Sequence, residues 1–156
     1  SQYYDVLASK NLTVHDVLTI ASLVEKEGST DQDRKNIASV FYNRLNQNMP
    51  LQSNIAILYA QGKLGQKTTL AEDAAIDTNI DSPYNVYKNT GLMPGPVDNP
   101  SLSAIEATVN PAKTDYLYFV ANTETGNVYF ANTYEEHEKN VQEHVNSKLT
   151  QSSSSN

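Results

Sequence analysis

Cysteine is absent from the 156-residue sequence, and histidine occurs only three times. Without cysteine, neither a disulfide framework nor a thiolate metal site can form. The histidines, His15, His137 and His144, are too scattered along the chain to predict a zinc site. We therefore expect the protein to use no metal and no other cofactor.

Basic residues are also scarce, because 11 lysines and arginines stand against 18 aspartates and glutamates, for a net charge of -7. This balance argues against nucleic acid as the main partner. No apolar run is long enough to cross a bilayer. The length and the hydrophobic content of 38% suit one globular domain. We expect that domain to cover residues 1–150, and we expect the serine-rich residues 151–156 to be disordered.

The central feature of the sequence is a predicted helix that begins near Thr13 and ends at Gly28. Thr13 and Asp16 have the spacing of a helix cap, and glycine is a common helix stop. Two carboxylates, Glu25 and Glu27, therefore lie in the last turn of this helix. Apolar residues recur along the segment at helical spacing, namely Val14, Val17, Leu18, Ile20, Ala21 and Val24.

The two carboxylates differ in their predicted surroundings, because helical side chains lean over the residues three and four positions earlier. Glu25 leans over the small Ala21, whereas Glu27 leans over Leu23 and Val24. Apolar neighbours and the carbonyl end of the helix both favour the neutral form of Glu27 and raise its pKa. A carboxyl group that is protonated near neutral pH can act as a general acid. The alternative, which the local pattern alone favours, is a solvated helix end with an ordinary charge run.

The remaining segments predict an α+β fold with a β-hairpin and one long ordered loop. The hairpin joins Tyr116–Ala121 to Val128–Ala131 through a glycine-containing turn. The loop runs from Asp77 to Pro100 and is rich in proline and glycine, and long loops inside compact domains are often functional. Further helices are predicted over Arg34–Gln47 after a turn and helix start at Ser29–Asp33, over Ile55–Gln61, from Thr69–Glu72, from Asn99–Pro100 to Val109, and from Thr133 onward.

Seven short motifs give the sequence a specific pattern by their order and spacing: Ala21–Glu27, Val40–Leu45, Leu51–Asn54, Ser82–Tyr87, Thr90–Pro96, Asn110–Pro111 and Tyr116–Val120. With these motifs, the chain resembles the endolytic murein transglycosylases, the MltG or YceG-like family, from about Leu12 to Val145. Two positions depart from the family pattern: Val86, where threonine is frequent, and Met93, where proline is usual. Neither position belongs to the expected chemistry.

The resemblance implies a helical, lysozyme-like catalytic core that cuts nascent peptidoglycan strands internally. The cut falls between N-acetylmuramic acid and N-acetylglucosamine and leaves a 1,6-anhydromuramyl end. The family also carries an N-terminal membrane anchor and a LysM-like module, so we expect this chain to be an excised catalytic domain. The implied location is the extracytoplasmic face of the cell membrane, and the implied partners are glycan strands and the cell-wall elongation synthases.

The resemblance also favours Glu27 as the catalytic residue, because related enzymes place the catalytic glutamate immediately before a small residue. Glu27 precedes Gly28, whereas Glu25 precedes a lysine. One carboxylate suffices for the implied mechanism: it protonates the glycosidic oxygen and then takes the proton from the muramyl C6 hydroxyl, which attacks C1. A hydrolase would instead need a second carboxylate, for which Asp77 and Asp81 are the remaining candidates.

The expected substrate-binding residues fall in two of the motifs and the adjoining loop. They are Gln52, Ser53, Asn54, Tyr84, Asn85, Tyr87 and Thr90. We expect a cleft between the end of the Glu27 helix and the loop Ser82–Pro96, with Leu51–Asn54 on its floor. Ser53 or Asn54 could equally be a helix cap, and Tyr87 could equally be packing inside the loop. Other expected roles are structural: Arg44 between helices through a carboxylate, Glu136 and His137 at a helix start, and the hairpin aromatics in the core.

Two functional alternatives remain at this stage: a muramidase-type hydrolase on the same scaffold, and a peptidoglycan-binding module that cuts little. Product mass separates them, because an anhydro end is lighter than a reducing end by one water. The carboxylates Glu72, Asp73, Asp77 and Asp81 are the one place where an oxygen-liganded cation could bind. They lack the alternating spacing of a calcium loop, so we expect no functional ion there.

Overall fold

The structure is a computed structural model that describes residue 8, residues 10–63 and residues 76–146. The described helices are α1 (Val14–Glu27), α2 (Asp31–Asn46), α3 (Asn54–Ala60), α4 (Leu102–Val109) and α5 (Tyr134–Val141), and α5 continues into a π-helical turn, Gln142–Asn146. Two strands, β1 (Tyr118–Ala121) and β2 (Val128–Ala131), form an antiparallel hairpin with Tyr118 opposite Ala131. The predicted α+β class is confirmed. The predicted helix at Thr69–Glu72 and the predicted disordered tail lie outside the described residues.

Helix α1 begins and ends as predicted. Thr13 accepts a hydrogen bond from the backbone N–H of Asp16, and the Asp16 carboxylate accepts one from the N–H of Thr13, which is a complete capping box. Gly28 ends the helix in an extended conformation, with φ of -125°. Glycine is needed there for close packing, because a Cβ atom would lie 2.9 Å from Ile37 Cδ1 and 3.2 Å from Arg34 Cγ.

The starts of three further helices are fixed by the structure. Helix α2 begins at Asp31, inside the predicted start Ser29–Asp33, and Thr30 caps it by accepting a hydrogen bond from the N–H of Asp33. Helix α4 is capped by Ser101, and not by Asn99, since the Ser101 hydroxyl accepts from the N–H of Ala104. The predicted helix at 55–61 is confirmed with its start moved to Asn54.

The main core lies where α1, α2 and α4 pack together, and it is supplemented by the long loop. Phe41 of α2 meets Phe119 of the hairpin edge to face, with ring centroids 5.8 Å apart. The opposite face of the hairpin is covered by the C-terminal helical segment, where His137 stacks on Tyr118 at 5.3 Å. The hairpin therefore lies between α2 and the C-terminal segment. None of the helices within the described residues is long and apolar enough to cross a membrane.

The long loop, Asp77–Pro100, is ordered by the side chain of Asn85. Its amide nitrogen donates to the carbonyls of Thr78 and Ile80, at 3.1 and 2.8 Å, and its oxygen accepts from the N–H of Tyr87 at 3.1 Å. The loop also supplies core side chains, namely Val86, Met93 and Val97, which are almost fully buried. The two departures from the family pattern, Val86 and Met93, are thus packing positions.

Candidate active site

Glu27, the last residue of α1, carries a carboxyl group with a strongly raised pKa. Burial of the carboxyl raises its pKa from 4.5 to about 7, and a hydrogen bond from Ser53 opposes part of the rise. The residue as a whole is only half-buried, while its carboxyl group is buried. Leu23 and Val24, over which it was predicted to lean, are fully buried. The predicted rise in pKa is confirmed, while the catalytic role of Glu27 stays a prediction.

Glu25 has the opposite environment. Its carboxylate accepts hydrogen bonds from the Ser101 backbone N–H at 3.1 Å and from the Ser101 hydroxyl at 2.5 Å. The hydroxyl hydrogen bond is the largest of the effects that hold the Glu25 pKa below its usual value. Glu25 therefore connects the end of α1 to the start of α4, and an ionised carboxylate in that position is no proton donor.

Ser53 contacts the candidate acid directly. Its hydroxyl donates to Glu27 Oε1 at 3.0 Å, and Ser53 itself is almost fully buried. Ser53 occupies the N-cap position of α3, but its side chain makes no cap hydrogen bond. The alternative prediction, that the Ser53 hydroxyl caps α3, is therefore wrong. The hydroxyl binds Glu27 instead.

The residues on either side of Ser53 reach other parts of the site. Gln52 has a left-handed backbone, with φ of 56°, and its N–H donates to the carbonyl of Val86 at 3.1 Å. This conformation is strained for a residue with a side chain. The Asn54 side-chain oxygen accepts a hydrogen bond from the hydroxyl of Tyr87. The turn Gln52–Asn54 thereby joins Glu27 to the long loop.

Tyr87 lies close to the candidate acid. Burial is the main cause that raises its pKa, and the negative charge of Glu27 raises it further, while Arg44 opposes the rise. The structure thus brings Ser53, Asn54 and Tyr87 together around Glu27, as the sequence predicted, and it places Gln52 beside them with an exposed side chain.

Tyr84 occupies a different position from the one expected. A Cβ atom on Gly95 would lie 3.4 Å from the His15 ring and 3.7 Å from the Tyr84 hydroxyl, so Tyr84 reaches toward the first turn of α1. Since His15 precedes Glu27 by twelve residues of helix, the two ends are about 18 Å apart along the axis. Tyr84 therefore does not border Glu27 directly.

Two other expected binding residues also lie outside the group around Glu27. Asn85 is completely buried, and its amide is used by backbone groups of its own loop. The expectation that this amide holds a substrate group does not fit the structure, because both of its ends are occupied. Thr90 is exposed farther along the loop, next to Gly91, whose φ of 84° turns the chain.

Arg44 stabilises the base of the site. It is almost fully buried, and it donates to the carbonyls of Leu117 and Pro50 at 2.6 and 2.7 Å. Its guanidinium also lies 5.1 Å from the ring centre of Tyr118. The predicted structural role is confirmed, but the partners of Arg44 are carbonyl oxygens and an aromatic ring instead of a carboxylate.

A second buried carboxylate, Asp98, was not singled out from the sequence. Burial raises its pKa from 3.8 to about 6, and both of its oxygens have no hydrogen-bond partner among the described residues. Lys26 and Glu25 are the charges that affect its pKa, so Asp98 lies on the Glu25 side of α1. A lone aspartate in a loop rich in proline carries no sequence signal of such burial.

The remaining acidic candidates are dispersed in the structure. Asp77 and Asp81 are exposed, and Asp77 accepts a hydrogen bond from the N–H of Asn79 at 2.9 Å. Glu72 and Asp73 lie outside the described residues. Within residues 10–63 and 76–146, no three or more histidine and acidic side chains are grouped so that they could hold a metal ion.

A sequence model of the YceG-like family matches residues 2–143 of the chain. The chain belongs to this family. It is 72% identical over 149 residues to an endolytic murein transglycosylase of Streptococcus pneumoniae and 47% identical over 146 residues to one of Bacillus subtilis. It spans 27% and 39% of the lengths of those two relatives while they cover 96% and 94% of it.

A solved structure of a YceG-like protein from Listeria monocytogenes is also similar, with a TM-score of 0.77 and 51% sequence identity. The match covers 88% of this chain and 43% of that one. The two proteins therefore share their fold over most of this chain.

Proposed function

We propose that this chain is the catalytic part of an endolytic murein transglycosylase that cleaves the bond between N-acetylmuramic acid and N-acetylglucosamine within glycan strands. The observation that carries the proposal is the environment of Glu27, whose pKa is raised to about 7 while Ser53 holds its carboxyl group. The names of the relatives at 72% and 47% identity support this activity.

The first step of the proposed reaction requires a proton donor. With a pKa of about 7, close to half of the Glu27 carboxyl groups are protonated at neutral pH. The protonated carboxyl donates to the glycosidic oxygen as the bond from that oxygen to C1 breaks. The Ser53 hydroxyl bonds Glu27 Oε1 and leaves the second carboxyl oxygen to carry the proton.

The second step uses the same group as a base. The ionised Glu27 takes the proton of the muramyl C6 hydroxyl while the C6 oxygen forms a bond to C1, which closes the 1,6-anhydro ring. Glu27 ends the cycle protonated, as it began. No water is consumed, so the products together have the mass of the substrate.

The surroundings of Glu27 favour this route over hydrolysis. A hydrolase with two carboxylates needs the second at about 5 Å or at roughly 6.5–9.5 Å. A second carboxylate that close would raise the pKa of Glu27 by like-charge repulsion. Burial raises the pKa of Glu27 and the Ser53 hydrogen bond opposes the rise, while Glu25, the other acid in the same helix turn, is bonded to Ser101.

Mass spectrometry of purified glycan strands after incubation with the protein tests the proposal. We expect new ends that carry the 1,6-anhydro group. Reducing ends, heavier by one water, would instead indicate a muramidase-type hydrolase. Strands that bind but stay intact would indicate a peptidoglycan-binding module.

The proposal extends to the setting of the whole protein. This chain spans 27% of the relative from Streptococcus pneumoniae and 39% of the relative from Bacillus subtilis. These shares support further segments in the full protein. We place the activity at the extracytoplasmic face of the cell membrane, through an anchor outside this chain, near the cell-wall elongation synthases. Membrane fractionation and in-cell crosslinking of the full-length protein test this placement, and recovery in the soluble fraction without crosslinked synthase would contradict it.

A further inference from the structure

Tyr59 and Tyr84, called here the distal tyrosine pair, have no part in the reaction steps above. Their ring centroids are 4.8 Å apart and their ring planes meet at 51°. Tyr59 is 40% exposed and Tyr84 is partly exposed. Two tilted rings of this kind present apolar faces together with phenol hydroxyls, which is the combination that suits a sugar ring.

The distal tyrosine pair is held in a fixed position. The N–H of Tyr84 donates to the Ser82 hydroxyl at 3.1 Å, and the next residue along the chain is the buried Asn85. On the other side, the exposed His15 bonds the carbonyl of Pro94 at 2.7 Å, beside the Tyr84 hydroxyl. An aromatic surface with a fixed backbone loses little conformational entropy when it binds a ligand.

The composition of the pair indicates a neutral ligand. Two phenol rings offer apolar faces and hydroxyl groups, and the protein as a whole is acidic, with a net charge of -7. A neutral, hydroxyl-rich ligand fits this surface better than a nucleic acid or a charged peptide.

The same two segments connect the distal tyrosine pair to the candidate active site. Helix α3 begins at Asn54, which bonds Tyr87 beside Glu27, and its last turn carries Tyr59, which contacts Tyr84. From Asn54 to Tyr59 the helix rises about 7.5 Å. Helix α3 and the loop are thus in contact beside the acid, through Asn54 and Tyr87, and again at the distal pair.

We propose that the distal tyrosine pair is a binding subsite for an N-acetylated sugar of the glycan strand whose cleavage Glu27 catalyses. The subsite binds a sugar away from the bond that breaks, so it favours long strands over short ones. The nature of the ligand rests on the proposed function, but the subsite itself can be tested without cleavage.

The test measures binding of N-acetylglucosamine oligomers to the Glu27→Gln protein by calorimetry, with and without Tyr59→Ala. We expect Tyr59→Ala to weaken binding of a hexasaccharide by about 3- to 10-fold, the range of one lost aromatic contact, and to leave disaccharide binding unchanged. Tyr59→Trp keeps an aromatic face and should retain hexasaccharide binding. Tyr134→Ala is the matched control, because Tyr134 is 58% exposed on α5, outside the site, and its loss should change neither affinity.

Equal hexasaccharide affinity in the Tyr59→Ala and Tyr134→Ala proteins, or no hexasaccharide binding by the Glu27→Gln parent, would overturn the subsite. With Glu27 intact, Tyr59→Ala should raise KM for long strands and leave kcat unchanged. If the parent protein forms anhydro products but Tyr59→Ala binds the hexasaccharide as tightly as the parent, the subsite is wrong and the proposed function stands. If Tyr59→Ala weakens binding of the hexasaccharide alone and the parent forms no anhydro product, the subsite stands and the proposed function is wrong.

Discussion

The two glutamates in the last turn of α1 have pKa values that are shifted in opposite directions. On one side, the Glu27 carboxyl is buried, Ser53 is its one donor within the described part of the chain, and its pKa rises to about 7. On the other side, two Ser101 donors bind Glu25 and hold its pKa low. Their separation along the chain does not explain the difference in pKa, since the two residues are only two positions apart. Burial of the carboxyl and the hydrogen bonds that balance it together decide which carboxyl can give up a proton at neutral pH.

Among the variants, Glu27→Gln should have the largest effect on the rate of cleavage, because it changes the glutamate that is expected to donate the proton. The amide keeps the shape of the side chain but cannot transfer the proton, so we expect the cleavage rate to fall on the order of 10²–10⁴-fold or more. Because burial disfavours the charged form of Glu27, the amide should not lower the thermal midpoint at pH 8. Cleavage is measured as the yield of anhydro ends per unit time.

Glu25→Gln is the matched control for that experiment. It weakens the hydrogen bonds to Ser101, so we expect about 1 kcal/mol less free energy of unfolding and a cleavage rate within a few-fold of the parent. An inactive Glu25→Gln protein beside an active Glu27→Gln protein would show that the roles of the two glutamates are reversed.

Ser53→Ala tests the Glu27 side further, because among residues 10–63 and 76–146 it removes the one hydrogen-bond donor to the Glu27 carboxyl. Since the Ser53 hydrogen bond lowers the Glu27 pKa, its loss should raise that pKa further above 7. The protonated form then persists to higher pH, so the alkaline limb of the rate profile moves to higher pH. We also expect the maximal rate to fall about tenfold, as for one lost hydrogen bond.

Ser53→Thr keeps a hydroxyl at the same place. It should restore the original position of the alkaline limb of the rate profile and most of the cleavage rate. A Ser53→Ala protein with a lower rate but an unmoved alkaline limb would mean that Ser53 supports only the packing of the site.

Asp98→Asn tests the Glu25 side of the same helix end. The folded-state pKa of Asp98, about 6, lies above its usual 3.8, so its ionisation destabilises the fold as the pH rises through that window. Removing the charge should therefore increase the free energy of unfolding at pH 7.5, by about 1 kcal/mol after allowance for solvent screening, and change little at pH 3.5. Denaturant unfolding at both pH values measures the difference. The exposed Asp81→Asn should show none, and a stability loss in Asp98→Asn at pH 7.5 would reveal a favourable partner of the carboxylate.

Local patterns predicted the parts of the site that depend on one helix. The Thr13–Asp16 cap, the stop at Gly28 and the raised pKa of Glu27 all follow from spacing within α1. The sequence predicted that Ser53 and Glu27 line the same cleft, but not that they are hydrogen-bonded, because a serine before a helix is usually its cap. The hydrogen bond between them depends on how α3 packs against α1.

Other positions could not be predicted from local patterns, because they depend on contacts between distant segments. Asn85 has the same sequence signature whether its amide binds a sugar or its own loop. Tyr84 and Tyr87 are three residues apart in one motif, yet one contacts Tyr59 and the other approaches Glu27. Only the packing of the loop on α1 and α3 separates them.

The smallest effect expected is that of a chelator, which should leave the rate of cleavage unchanged. One carboxyl group and the hydroxyl of the substrate account for every proton in the proposed reaction, so Glu27 has no need of a Lewis acid beside it. The carboxylates Glu72, Asp73, Asp77 and Asp81 are the group on which an ion would act, and Asp77 and Asp81 are exposed. The rate of anhydro-end formation is measured in excess chelator and again after calcium or magnesium is added back. A rate that falls with the chelator and returns with the ion would mean that this acidic segment belongs to the active site, and that the environment of Glu27 alone does not account for its chemistry.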